Sequence, residues 1–527
     1  MKILAVYEKM AYNLAVRFFT QLRMTNCHAE RSEASRLWTL WNFYTLLSFM
    51  MANRAALGKK YPNYKRWIEN AFKSGQSHLF RWWNEITDAE KKRLLEQTAG
   101  IDFQFVQKLF NDNQQKTKNT LQGDLVPPQI IPIPKTTPEL ALAQRARQIG
   151  EASLRRGEIA ILTVAGGHGT RLGSNGPKGT LPIAPVSGKS IFQLHAEKIR
   201  AVQQKYHTYI PWYIMTSETN DRVTQDFFQS HRFFGLDTEQ VCFFTQGMLP
   251  AVDLHGKLLM NSKSDIVMSP NGHGGTIIAL REKGILEDME ERGIKHIFYH
   301  QVDNVLIKIA DPVFVGYHLK NDAEMSLKIV KKCHPGEKVG IVAHSNGHLQ
   351  VIEYSELSHE DMHARNEDGA LKHDAANIAV HMISVDFLEK IYQHGDALPF
   401  HAALKKVPYL NDKGETINPE ENNAIKFESF IFDVLKYIEK GVIMEVLRED
   451  EFSPVKNMEG ENSPTTARQD MINLFGRWLR NAGISIPADA QGNVIGLIEI
   501  NPCFALDEEE LRKKIDKHLQ FNGNLIV

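Results

Sequence analysis

The chain is poor in cysteine and close to neutral. Its four cysteines, Cys27, Cys242, Cys333 and Cys503, lie far apart with no CxxC pair, which excludes a disulfide-stapled scaffold and fits the reduced thiols of a cytoplasmic protein. The 21 histidines are scattered and are read as holding no zinc-finger or metalloprotease pair. A formal net charge of −1 argues against a partner as anionic as nucleic acid, so any phosphate binding must be local. Long apolar runs are also missing. Residues 37–51, the longest run near the N-terminus, are interrupted by Asn42, fall short of the roughly 20 residues a membrane span needs, and lie too deep for a signal peptide. No membrane partner is therefore expected, and the sequence carries no signal of oligomeric state.

What the chain does have is length and an ordinary globular composition. At 527 residues, 43% hydrophobic and 24% charged, it exceeds what one hydrophobic core usually supports. Residues 1–60 read as an extension of unclear role, and Met50 or Met51 is a candidate alternative start. From 64 to 110 the positions of Trp67, Ile68, Phe72, Leu79, Phe80 and Trp83 suggest one apolar helical face. Thr87-Asp-Ala-Glu90 is a capping-box pattern. Residues 111–137, polar and then proline-rich, read as a linker that closes a helical domain over 61–137. Thr137-Pro138-Glu139 reads as N-cap, N1 and acidic first turn of a helix reaching about Arg156. Apolar strand signals near 159–164, 212–215 and 296–302 then alternate with helices such as 192–204. This is the rhythm of an α/β domain, assigned to 138–440, with a smaller C-terminal domain over 441–527 that starts on a strand at 442–447.

The most informative stretch follows the first of these strands. Gly166, Gly167, Gly169, Gly173 and Gly176 permit positive φ and let backbone N–H groups approach a ligand. Such N–H groups make an anion nest. Arg171 adds a fork suited to a di- or triphosphate, and Lys178 adds a compact point charge. The pattern is neither the dinucleotide fingerprint, because Leu172 stands where the last glycine belongs, nor a Walker A loop, because Ile183 stands at the first glycine before Gly188-Lys189-Ser190.

Ala165-Gly-Gly-His-Gly-Thr-Arg-Leu-Gly173 followed by Gly176-Pro-Lys-Gly179 resembles the signature of the UDP-sugar pyrophosphorylases, on the side of the UDP-N-acetylglucosamine enzymes. The resemblance begins near Tyr64. It implies a Rossmann-like nucleotidyltransferase core with a mixed, mostly parallel sheet, and a uridylyltransferase that joins UTP and a sugar 1-phosphate with release of pyrophosphate. Carried over position by position, it implies that Ala165, Gly166, Gly167, Gly169 and Thr170 cradle substrate with Arg171 and Lys178 as catalytic cations. Gln246 and Gly272 would lie at the uracil and His273 at the sugar. In Val302-Asp-Asn304, Asp303 would hold Mg2+, although an Asp-Asn pair is also a common turn. Glu353 and Asn377 would meet sugar hydroxyls or the acyl group; on residue type alone they are a strand residue and a turn residue. Lys426 in Lys-Phe-Glu-Ser-Phe430 and Lys456 in Phe452-Ser-Pro-Val-Lys-Asn457 would hold the sugar phosphate and nucleotide phosphates.

Two positions depart from the N-acetylhexosamine branch, which carries Asn at position 273 and Gln at 168; this chain has His at both. Glucose-type relatives carry His at 273, so glucose 1-phosphate stays open as the substrate. A catalytically silent nucleotide-sugar sensor is the alternative from another class.

Overall fold

The computed structural model describes residues 57–116, 124–169, 172–173, 176–393 and 398–527. The extension up to residue 56, including the 37–51 run and Cys27, lies outside them, as do Thr170 and Arg171. Among the described residues two compact units emerge, one formed by residues 57–108 with Pro250–Val267 and Lys405–Ala424, the other lying within Leu109–Leu249, Met268–Leu404 and Ile425–Val527.

The first unit holds the predicted helical region. Ile68, Leu79, Phe80 and Trp83 are buried along the helix Lys65–Lys73 and the turn that follows it. Helix Asp88–Ala99 starts at the expected capping box. Two segments from inside 138–440 complete this unit. Gln76 explains one of them: its amide donates to the Gly256 carbonyl at 3.0 Å and accepts the Leu258 N–H at 3.0 Å.

The second unit is built on a nine-stranded sheet. Its strands are β1 (Ile159–Val164), β2 (Trp212–Thr216), β3 (Val241–Thr245), β4 (His296–Gln301), β5 (Met325–Lys331), β6 (Ile341–Ser345), β7 (His348–Ile352), β8 (Ala375–Ser384) and β9 (Gly441–Glu445). The main path runs β7-β6-β8-β4-β1-β2-β3, with β5 joining β8 to β9. From β4 to β3 the strands are parallel, with Ile161 opposite Trp212 and Phe298. The long strand β8 runs antiparallel to β4, β5 and β6. The sheet is thus mixed, as expected. β9 pairs in parallel with β5, so the sheet continues past residue 440. The apolar residues beyond it that form a cluster of their own include Ile484, Ile498 and Leu511.

Every other residue of β1 faces a different layer. Ile159 and Ile161 join Trp212, Ile214 and Phe298 in one core, while Ala160 and Leu162 join Tyr213, Met215 and Tyr299 in the other. Burial on both faces is why β1 reads as a continuous apolar run. Helices α1 (Thr137–Arg155), α2 (Ile191–Tyr206) and α3 (Pro312–Lys320) contribute Ala146, Ile191, Phe192 and Phe314 to the first core. The helix Gly275–Glu282 contributes Ile277 and Leu280 to the second. No helix among the described residues is long and apolar enough to cross a membrane.

Two local expectations shift. The N-cap of α1 is Thr136 rather than Thr137: Thr136 Oγ accepts the Glu139 N–H, and Glu139 Oε2 accepts the Thr136 N–H at 2.9 Å. The proline-rich segment is hydrogen-bonded to the sheet rather than a free connection. Ile131 donates to the Ile443 carbonyl at 2.8 Å and accepts from Glu445 at 2.9 Å, Val126 bridges His344, and Leu125 is buried.

One buried charge anchors the far end of the sheet. Lys328 on β5 is 0% exposed and donates to Asp311 Oδ2 at 2.7 Å and to Glu451. Removing the cation leaves two buried carboxylates facing each other. Lys328→Met is expected to lower stability by about 3–5 kcal/mol, read as a lower midpoint in urea denaturation.

Candidate functional site

In an open α/β sheet the carboxyl ends of parallel strands form the crevice where ligands bind. Three predicted segments leave strands of this parallel half of the sheet there. The glycine loop follows β1, Gln246 follows β3, and Asp303 follows β4 by two residues.

The loop is shaped by backbone hydrogen bonds and by two residues beyond β2. Ala165 N–H donates to the Met215 carbonyl at 2.8 Å, Lys178 N–H to the Gly167 carbonyl at 3.2 Å, and Gly169 N–H to the Gly176 carbonyl at 2.9 Å. Asn220 Nδ2 donates to the Ala165 carbonyl at 2.9 Å, and Ser217 Oγ to the Gly166 carbonyl at 3.0 Å. These bonds hold the carbonyls of Ala165, Gly166, Gly167 and Gly176 and so set the course of the turn. Gly166 is needed for close approach rather than for positive φ, since a Cβ there would stand 2.7 Å from Gln246 Nε2.

The loop then delivers Lys178. Its Nζ donates to Asp303 Oδ2 at 3.0 Å, with the lysine side chain 20% and the aspartate 9% exposed. Burial pushes the Asp303 carboxyl up, but the charges of Lys178 and Lys456 outweigh it and hold the group below the ordinary aspartate value. Lys456 arrives on a segment fastened to the same strand end. Val455 N–H donates to the Asp303 carbonyl at 2.9 Å. Asn304 donates to the Glu451 carbonyl at 2.7 Å and accepts the Ser453 N–H at 3.0 Å.

The second glycine loop is tied to Gly247, the residue after Gln246. Asn271 N–H donates to the Gly247 carbonyl at 3.0 Å, its own carbonyl accepts Ser429 N–H at 2.8 Å, and Gly274 N–H donates to the Ser429 carbonyl at 2.8 Å. Gly272 has φ +86°, and a Cβ there would stand 2.3 Å from the Ser429 carbonyl oxygen. His273 Nδ1 accepts the Ile431 N–H at 3.1 Å, which fixes the tautomer with hydrogen on Nε2. Burial and the neighbouring His401 charge push its imidazole down to about 4. It is therefore a neutral Nε2–H donor, stacked on Phe430 at 5.3 Å.

Glu353 leaves β7, and its Oε1 lies against Gly340, whose carbonyl accepts the Asn377 N–H at 2.9 Å. These two residues are thereby neighbours. Burial, with Glu356 next, raises the Glu353 pKa, while Lys456 is among the charges that lower it. Asn377 belongs to β8 and not to a turn. Its Oδ1 accepts the Ala379 N–H at 3.1 Å, beside the positive φ of Ala379 (55°), so it supports a kink in the strand. Lys426 is half-buried on the strand Ala424–Ser429, three residues before Ser429.

A Mg2+ that keeps waters and takes phosphate oxygens needs only one or two carboxylates from protein. Asp303 supplies one at the strand end, which fits such an ion. No group of three or more His, Cys, Asp or Glu able to hold a metal is found among the described residues. The reading of the histidines nonetheless needs a correction, since His359-Glu-Asp-Met-His363 does have H-E-x-x-H spacing. It forms a single exposed helical turn in which His363 Nδ1 bonds the His359 carbonyl at 2.9 Å and the rings stack at 4.2 Å. A cavity of about 370 Å3, lined by Leu194, Lys198, Ile307, Trp478 and Leu506 among others, contains none of the predicted residues.

Residues 103–463 match the family model described as UTP–glucose-1-phosphate uridylyltransferase. The chain belongs to this family. It is 40% identical to the UDP-N-acetylglucosamine pyrophosphorylase of Saccharomyces cerevisiae, over 78% of this chain and 90% of that protein. It is 39% identical to the UDP-N-acetylhexosamine pyrophosphorylase-like protein 1 of Xenopus tropicalis, over 78% and 84%. The crystal structure of the uridine diphosphate N-acetylglucosamine pyrophosphorylase from Trypanosoma brucei superposes with a TM-score of 0.73 at 28% identity, covering 84% of this chain and 93% of that one. The family member described here is accordingly a nucleotidyltransferase of the sugar 1-phosphate uridylyltransferase type.

Sequence reading missed Ser217, Asn220 and Asn304, which hold the loop and the Lys456 segment. The signal was present for two of them, because Ser217 and Asn220 directly follow the strand at 212–216, where open sheets place their ligands. Gly272→Ala combines a left-handed φ with a clash against backbone. It is expected to cost at least about 1–3 kcal/mol, read as a lower thermal midpoint than Gly188→Ala, whose Cβ meets nothing within 4 Å.

Proposed function

We propose that the protein transfers the uridylyl group of UTP to N-acetylglucosamine 1-phosphate, giving UDP-N-acetylglucosamine and pyrophosphate. The observation that carries this reading is the convergence of the glycine loop, the Lys178–Asp303 pair and Gln246 at the ends of β1, β4 and β3. The substrate class follows the relatives at 39–40% identity, named for UDP-N-acetylhexosamines.

The chemistry is an in-line displacement. A phosphate oxygen of the sugar 1-phosphate attacks the α-phosphorus of UTP, the bond to the bridging oxygen breaks, and pyrophosphate leaves with that electron pair. A phosphate dianion is already nucleophilic, so the protein needs to align two repelling anions and offset the charge that builds between them. Arg171 and the loop N–H groups are assigned to the β- and γ-phosphates, Lys178 to the α-phosphate, Lys426 to the incoming phosphate and Lys456 to the nucleotide side. Asp303 would hold Mg2+, which when bound supplies Lewis-acid stabilisation at the α-phosphate. Lys178 neutralises Asp303, and a substrate phosphate would give its Nζ a second anionic partner. Gln246 and Gly272 are assigned to the uracil, and His273 Nε2–H, Glu353 and Asn377 to the sugar.

His273 favours glucose 1-phosphate as a second reading. Its Nδ1, however, is engaged with Ile431 N–H, a bond that an Asn oxygen at 273 could equally accept, so the exchange does not by itself reshape the loop. A panel of sugar 1-phosphates with UTP, read by pyrophosphate release, is expected to give N-acetylglucosamine 1-phosphate the highest kcat/KM. A preference for glucose 1-phosphate would establish the second reading, and nucleotide binding without release would indicate a sensor. Lys178→Ala is expected to lower kcat about 100- to 1,000-fold, the size of losing one preorganised donor.

A further inference from the structure

His401 has no role in the reaction described above, yet it sits between the two segments assigned to the sugar. Its Nε2 pairs with Asp433 Oδ2 at 3.0 Å and its Nδ1 faces Glu356 Oε1 at 3.4 Å. Each carboxylate in turn holds backbone. Glu356 Oε2 accepts the Glu353 N–H at 3.3 Å, and Asp433 Oδ2 accepts the Phe430 N–H at 3.3 Å. The His401 ring also stacks on Phe430 at 4.6 Å and 29°, and Phe430 stacks with His273 at 5.3 Å and 29°. One imidazole thus ties the turn carrying Glu353 to the segment that fixes His273.

We propose that His401 is a positioning residue for the sugar 1-phosphate, a cationic clamp that sets the spacing between the Glu353 turn and the Phe430–His273 wall. The inference rests on the assignment of Glu353 and His273 to the sugar. Only the imidazolium has two N–H donors, so only the charged ring can serve both carboxylates; a neutral ring must release one. The charged groups around it are Glu356 and Asp433 in contact, Glu353 behind Glu356, and Lys456 acting on Glu353. Desolvation opposes the charge, but the two carboxylates prevail and raise the His401 pKa to about 9 from the ordinary 6.5. Because the folded-state pKa is raised to about 9, the clamp stays charged up to about pH 8 and is lost as pH rises through about 9.

The test measures KM for N-acetylglucosamine 1-phosphate and for UTP by pyrophosphate release, in wild type, His401→Gln and His401→Arg. His401→Gln is expected to raise the sugar-phosphate KM about tenfold below about pH 8, the worth of one charge-assisted hydrogen bond, and to show no alkaline climb of its own, while KM for UTP stays within about twofold and shows the variant is folded. In wild type the sugar-phosphate KM should climb between about pH 8 and pH 10. His401→Arg, which keeps its charge, should partly restore the low KM and flatten that climb. An unchanged sugar-phosphate KM in His401→Gln, an equal rise in both KM values, or an alkaline climb that persists in His401→Arg would overturn the inference. Absence of pyrophosphate release by wild type with every sugar phosphate would instead overturn the functional reading, and the inference with it.

Discussion

The ion pair between Lys178 and Asp303, 3.0 Å long, is the interaction on which the rest of the site depends. A carboxylate as buried as Asp303 is costly unless cations neutralise it, and a lysine brought to it with nothing else to bind would be equally out of place. Their coexistence requires that the turn after β1 and the end of β4 meet at one level. The parallel register of the two strands, from Ile159 opposite His296 to Val164 opposite Gln301, does this. A slip of one residue would turn Asp303 away from Lys178 and exchange the two cores between the faces of β1. Beneath the site the register is reinforced by buried polar contacts: Trp212 Nε1 donates to Thr163 Oγ1 at 2.7 Å, which meets His300 Nε2 at 2.8 Å.

From that pair the polar framework extends outward in two directions. Toward the far end of the sheet, Asn304 fastens the segment that carries Lys456, and Glu451 in that segment is held by Lys328. A second cation is thereby placed beside Asp303 without being part of the loop. Toward the residues proposed to hold the sugar, the charge of Lys456 also reaches Glu353, and Glu356 and Asp433 share His401. The site is best understood as alternating charges on different elements, each made tolerable by the next. This also explains how a chain of net charge −1 can present cations to two anionic substrates, since the positive charge is concentrated locally rather than spread over a surface.

Much of this was legible where the determining signal is local. The run Ile159–Val164 is apolar because both its faces are covered, and the Thr87–Glu90 capping box needs only four residues to be recognised. The error of one residue at α1 arose because Thr136 and Thr137 are equivalent by composition and only Glu139, three residues after the true cap, separates them. What escaped was non-local. Prolines at 127, 128, 132 and 134 do impose extended backbone, but nothing nearby shows that Ile131 will find its partners at Ile443 and Glu445. Asn377 reads as a turn residue until the positive φ of Ala379 shows why a strand would carry it. His401 is one histidine among 21, distinguished only by partners 45 and 32 positions away at Glu356 and Asp433. The family motifs located most of the candidate residues but not the supports that hold them.

The central claim, that Lys178 and Asp303 work as one charged unit at the reacting phosphate, is tested most directly by a double-mutant cycle on kcat/KM with Lys178→Ala, Asp303→Ala and the pair together. Acting as a unit, the two should be strongly non-additive, with the double variant no more than about tenfold worse than the poorer single one. Losses that multiply across the two single variants would show that each acts alone and would contradict the account.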